Sequence, residues 1–215
     1  MHATVAPRVA LLGDSIFDNA PYTQGGPAVI DHLRRVLSPG WSADLLALDG
    51  AYIDEVRGQL LQLQPEHTHL VLSVGGNDVL LSAGVLELEV RTSGEAFLRL
   101  ADEVDAFALR YRACLDACLA TGRPLVVATI YEGWFDDPVY QRLVQTALRA
   151  FNDVIIRSAG ESGLRVIELR RVCCAAEHYA NPIEPSVAGG ARIAQAIAQA
   201  VLAGPPPAGG AFVAG

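Results

Sequence analysis

At 215 residues, with 51% hydrophobic and 19% charged side chains, the chain is long enough for one domain with a substantial buried core. Its formal charge of −8, with arginine supplying every one of its 16 strong cations and no basic cluster, excludes the basic face that a nucleic acid requires. No apolar stretch approaches the roughly 18 residues of a membrane span, and Met1 to Arg8 is too short and polar for a signal peptide, so a cytoplasmic location is expected.

Strand and helix signals alternate along the chain. Arg8 to Gly13 reads as a buried strand that runs into Gly13-Asp14-Ser15. Pro27 to Leu37 places Val29, Ile30, Leu33, Val36 and Leu37 at helical spacing, and Ser38-Pro39-Gly40 closes it. Trp41 to Leu48 reads as a second strand ending at Asp49-Gly50, and Ile53 to Leu63 as an amphipathic helix stopped by Pro65. Leu70 to Val74 is the third strand, leading into Gly75-Gly76-Asn77-Asp78. Val79 to Gly94 is irregular and apolar in places, as a lid or short helical insertion would be. A long helix from Glu95 to Thr121, a strand from Leu125 to Ile130 and a helix from Pro138 to Ser158 follow, with Pro138 suited to a first turn. Leu164 to Leu169 is the fifth strand and Val187 to Leu202 the closing helix.

Five strands separated by helices predict βαβ units and a five-stranded parallel sheet in a three-layer α/β/α sandwich. A flavodoxin-like strand order suits the pattern without being fixed by it. One domain is expected over residues 1–203, and the Gly/Pro/Ala tail 204–215 reads as disordered. Cys114 and Cys118 lie four apart on a helix, and Cys173 and Cys174 are adjacent; neither spacing suits zinc and adjacent cysteines are poor disulfide partners, so buried thiols are expected. No metal cluster, phosphate loop or nicotinamide fingerprint is present, and no cofactor is implied.

Four blocks follow strands and so converge on one rim of the sheet: Gly13-Asp14-Ser15, Gly50, Gly75-Gly76-Asn77-Asp78, and Asn181-Pro182-Ile183-Glu184-Pro185-Ser186. In the first three of these the chain resembles the GDSL/SGNH hydrolases, esterases and acylhydrolases of flavodoxin-like fold, and the likeness runs from about Arg8 to Leu202. The resemblance implies that Ser15 attacks an acyl carbon. It also implies that the Ser15 and Gly50 backbone N–H groups and the Asn77 amide donate to the oxyanion. Such prearranged donors supply roughly 3 kcal/mol each where charge develops. Asp14 and Asp78 read as turn and helix-cap residues.

The family's last block is D-x-x-H followed by Pro. Aligned through Pro185-Ser186 and Gly189-Gly190, this chain carries Asn181 at the Asp position and Glu184 at the His position, the mark of a variant subgroup. A free glutamate, with a pKa near 4.3, is a weaker base than histidine, near 6.5. Burial could raise it towards 6–7. His178, in the same loop, is a second candidate base. His2, His32, His67 and His69 fall at the terminus, in a helix or at the amino end of a strand.

Three functions stay open on these residues. The first is an esterase-like hydrolase of a small acyl substrate, using Ser15 with Glu184 or His178 as base. The second is a silent ligand-binding protein that keeps the pocket. The third is a non-hydrolytic acid–base enzyme using Glu184 and Ser15. Phe17, Tyr22, Trp134 and Phe135, with Leu80 and Leu81, are candidate pocket lining on the same rim.

Overall fold

Side chains that alternate along a strand must be covered on both faces of its sheet. The computed structural model describes residues 6–203 and 212–214. It contains strands β1 (Arg8–Gly13), β2 (Ser42–Leu45), β3 (His69–Ser73), β4 (Leu125–Ala128), β5 (Arg165–Ile167) and β6 (Phe212–Ala214). They lie parallel in the order β2-β1-β3-β4-β5-β6. Val9 and Leu11 of β1 enter one core, packed under α1 (Val29–Val36) and α7 (Val187–Leu202). Ala10 and Leu12 enter the other, under α2 (Val56–Leu60), α4 (Ser93–Leu119) and α5 (Pro138–Glu161). The result is the expected three-layer sandwich with a flavodoxin-like order, and its reversal of direction falls between β1 and β3. Ligands collect at such switch points.

Two expectations, for the tail and for the helix after the second strand, change in detail. The five expected strands are joined at the β5 edge by β6, inside the tail read as disordered; Arg165 to Ile167 pair with Phe212 to Ala214. An uncovered edge offers unpaired backbone groups that a following apolar segment can satisfy. The other tail positions lie outside the described residues. The helix expected from Ile53 to Leu63 shrinks to a 3-10 turn, Ile53–Glu55, and the five residues of α2. The Val79 to Gly94 stretch continues α3 (Gly76–Leu81) into a 3-10 turn, Ser82–Glu87. A short helix, α6 (Leu169–Val172), follows β5. Among the described residues, no helix is long and apolar enough to cross a membrane.

The strand ends are fixed by close backbone contact and by buried amides. Gly13 has φ +126°, and a Cβ there would lie 1.7 Å from the Ser73 carbonyl oxygen, so β1 and β3 close only over glycine. Gln59 clamps the same residue: it accepts from the Gly13 N–H and donates to the Gly13 carbonyl, both at 2.7 Å. Asn152 does this at Ile130, just past β4, at 2.7 and 2.8 Å. Asn19 accepts from the Val29 N–H at 2.8 Å and donates to the Pro185 carbonyl at 3.1 Å. All three amides are buried.

Candidate active site

The turn after β1 is built by Asp14. Its Oδ1 accepts from the Ile16 N–H at 3.1 Å, and its carbonyl accepts from Phe17 and Asp18 at 3.1 Å each. This is the turn role expected of an aspartate. It aims Ser15 at the loop before α7, where Ser15 Oγ donates to Glu184 Oε1 at 3.1 Å. Both residues are 6% exposed. Glu184 Oε2 is buried, with no hydrogen-bond partner among the described residues. Burial pushes the Glu184 carboxyl up to about 7; the Ser15 hydroxyl works against that shift and the Asp49 charge adds to it. Asp14 is also pushed up to about 7, again chiefly by burial, with the Ile16 N–H opposing and the Glu184 and Asp78 charges adding.

Asn77 and Asp78, opening α3, lock the segment that carries Gly50. Asn77 Nδ2 donates to the Ala51 carbonyl at 2.9 Å, and the Ile53 N–H donates to Asp78 Oδ2 at 3.0 Å. Asp78 Oδ1 pairs with Arg110 at 3.1 Å. Burial raises the Asp78 carboxyl, with the Ile53 N–H and Arg110 opposing. Gly50 takes a left-handed φ of +78° that a side chain would strain. Among the described residues, neither the Ser15 nor the Gly50 N–H donates to a protein group. Asn77 keeps one amide hydrogen beyond its bond to Ala51, and it lines the same cleft as Ser15 and Glu184. Gly50 lies outside that lining, one residue from the carbonyl that Asn77 binds.

The structure does not bring His178 to Ser15. His178 is buried in its own 3-10 turn, where Nδ1 accepts from the backbone N–H groups of Cys174 at 3.1 Å and Ala175 at 3.2 Å. Burial, then the nearby Arg192, holds its pKa below the ordinary value. Its ring closes a turn, and no hydrogen bond links it to Ser15 among the described residues.

The cleft beside Ser15 is largely apolar. Leu80, Val85 and Leu86 line it from α3 and the following turn, Leu100 from α4, and Leu148 and Phe151 from α5. Leu80 and Phe135 line it as expected. Phe17 does not: it is fully buried in the core beneath α1 and α7. Tyr22 turns away to bond Asp49 at 2.9 Å, outside the lining. Trp134 is 46% exposed and packs near Tyr179, and Leu81 is 68% exposed; neither lines the cleft. The expected buried thiols hold for Cys114, Cys118 and Cys173, whereas Cys174 is exposed. Tyr131, which sequence reasoning missed, lines the cleft and donates its hydroxyl to the Ile183 carbonyl.

The model of a family described as GDSL-like Lipase/Acylhydrolase matches residues 11–192. Among solved structures, the chain is similar to an extracellular lipase from Streptomyces rimosus at 15% identity and TM-score 0.61, over 87% of this chain and 95% of that one. A phospholipase A1 from Streptomyces albidoflavus aligns at 16% identity and TM-score 0.61, over 87% and 95%. An acetyl xylan esterase aligns at 18% identity and TM-score 0.64, over 87% and 96%. At these identities the likeness is one of fold. Among curated proteins no sequence matches.

Proposed function

Since the chain belongs to the GDSL-like lipase/acylhydrolase family, we propose that it hydrolyses an ester of a small acyl substrate, with Ser15 as nucleophile and Glu184 as general base. One observation carries this reading: a buried serine hydroxyl donates to a buried carboxylate at 3.1 Å, at the switch point of the sheet. That is hydrogen-bond reach for proton transfer, and a base titrating near 7 is matched to neutral conditions.

In the first step Glu184 takes the Ser15 hydroxyl proton as Oγ adds to the acyl carbon. The negative charge passes to the former carbonyl oxygen, which accepts from the Ser15 N–H, the Asn77 amide and the Gly50 N–H. When the intermediate collapses, Glu184 returns the proton to the departing alcohol oxygen and the acyl group stays on Ser15. A water then gives a proton to Glu184 and its oxygen to the acyl carbon. The acid leaves, and Ser15 recovers its proton. A carboxylate has no tautomer to select, so no second carboxylate has to select one as a triad aspartate does. The apolar walls from Leu86, Leu100, Leu148 and Phe151 support a hydrocarbon acyl chain in the cleft.

A fluorophosphonate probe is expected to modify wild type on the Ser15 peptide, read by mass spectrometry, and to leave Ser15→Ala unmodified. The same substitution is expected to remove at least 99.9% of p-nitrophenyl butyrate turnover, in line with the roughly 10³-fold or greater losses when a nucleophile is deleted. Wild type that neither takes the probe nor turns over p-nitrophenyl acetate, butyrate or octanoate overturns the reading.

A further inference from the structure

The base sits on a loop, yet each main-chain hydrogen-bonding group from Ile183 to Pro185 has a partner. Asn181 Oδ1 accepts from the Ile183 N–H at 3.0 Å and from the Glu184 N–H at 2.9 Å. The Ile183 carbonyl accepts from the Tyr131 hydroxyl, and the Pro185 carbonyl from Asn19 Nδ2 at 3.1 Å. The Glu184 carbonyl accepts from the Ala180 N–H at 2.8 Å. Proline has no N–H to satisfy. One residue earlier, the Pro182 carbonyl accepts from the Trp134 N–H at 2.8 Å. The three side chains come from separate parts of the chain: the turn after β1, the segment after β4, and the loop itself.

By contrast, the Glu184 carboxylate has one partner, the Ser15 hydroxyl, and no side chain braces Oε2 among the described residues. Its direction is therefore set by the backbone it hangs from. We propose that Asn181, Tyr131 and Asn19 are positioning residues that aim the Glu184 carboxylate at Ser15 by fixing the peptide groups on either side of it. Asn181 thus stands at the family's Asp position with a different task, holding main-chain N–H groups where an imidazole would otherwise be held. This rests on Glu184 being the base.

Asn181 is exposed, so its removal perturbs the core least. Kinetics on p-nitrophenyl butyrate from pH 5 to 9, with thermal melts, separate the roles. Asn181→Ala is expected to lower kcat by about 10- to 100-fold, the scale of an ångström-level misplacement of a reacting group. KM should stay within about threefold, because no cleft contact is lost. The acid-side inflection should also move down as the loosened carboxylate gains solvent. Asn181→Asp, which can still accept both N–H groups, should recover most of the rate with its inflection moved up by the added negative charge.

Asn181→Ala with wild-type kcat and inflection overturns the proposal. If Asn181→Ala melts far below wild type, Tyr131→Phe removes one hydroxyl from the other side of the loop, and an unchanged kcat there overturns the proposal equally. The base assignment fails separately: Glu184→Gln at the wild-type rate removes Glu184 itself. An inactive Glu184→Gln beside a fully active Asn181→Ala removes only the positioning role.

Discussion

Glu184→Gln is expected to lower kcat/KM for p-nitrophenyl butyrate by about 10³-fold or more at pH 8, with the fold intact. Glutamine keeps the shape of the side chain, and its amide oxygen can still accept the Ser15 hydroxyl bond seen at 3.1 Å. What it cannot do is carry away a proton at neutral pH. The pH profile of wild type gives the same information in a second form. Glu184 works as base only when ionised, and burial holds its pKa at about 7. The rate should therefore rise about tenfold per pH unit below 7 and level off above it. An ordinary exposed glutamate would have levelled off more than two units lower. Steady-state assays from pH 5 to 9 on both proteins decide the matter. A glutamine variant within tenfold of wild type, or a wild-type profile flat from pH 5, removes Glu184 from the mechanism.

Asp14→Asn is expected to flatten the pH dependence of stability. The Asp14 carboxyl is buried and held at about 7, against 3.8 for an unperturbed aspartate. A raised carboxyl pKa means that the folded state favours the neutral acid. The favourable contribution is whole below pH 4, shrinks as the unfolded chain ionises, and is gone once the pH passes 7. The difference is about 4 kcal/mol across that window. Asparagine can keep the Oδ1 bond to the Ile16 N–H seen at 3.1 Å and cannot ionise. Its extra amide hydrogens cost roughly 1–2 kcal/mol where no partner is found, but that cost does not vary with pH. Against wild type, the variant should therefore gain melting temperature between pH 5 and pH 8, by roughly 5–10 °C. Melting temperatures that run parallel for the two proteins across that range would show that the Asp14 carboxyl is not raised by burial and ionises as in the unfolded chain. A fold that keeps two carboxyls near neutrality beside one serine gives up stability at the place where it works.

How much of this was legible depends on whether a residue announces itself locally. Gly13, Gly50 and Gly75-Gly76 sit directly after strands, and their backbone demands are local, so the rim could be read from order alone. Glu184 was legible only through the family likeness: aligning the last block on Pro185-Ser186 and Gly189-Gly190 put it at the His position without saying that it would reach Ser15. His178 had the right chemistry in the right loop, but its ring completes the turn from Cys174 to His178, a use that sequence separation does not distinguish from catalysis. Phe17 lies only two residues past Ser15, yet the turn at Asp14 carries it into the core beneath α1 rather than towards the rim. Gln59, Asn152, Asn19 and Tyr131 were silent, because their partners lie far away in the chain and a lone polar residue carries no pattern. The β6 strand is three residues set in a Gly/Pro context, too short for any periodicity to show.

The amides at the strand ends have a bearing on how such a protein ages. Gln59, Asn152 and Asn19 each donate with one end and accept with the other, a pairing that a carboxylate cannot supply. Deamidation converts that group to a carboxylate, which accepts but no longer donates. One such event at Gln59 would leave the Gly13 carbonyl with the Leu48 N–H alone as donor and set a negative charge against it, directly behind Ser15. The shape of the rim is thus tied to three nitrogen atoms, none of which takes part in the reaction, and their burial is what shields them from hydrolysis.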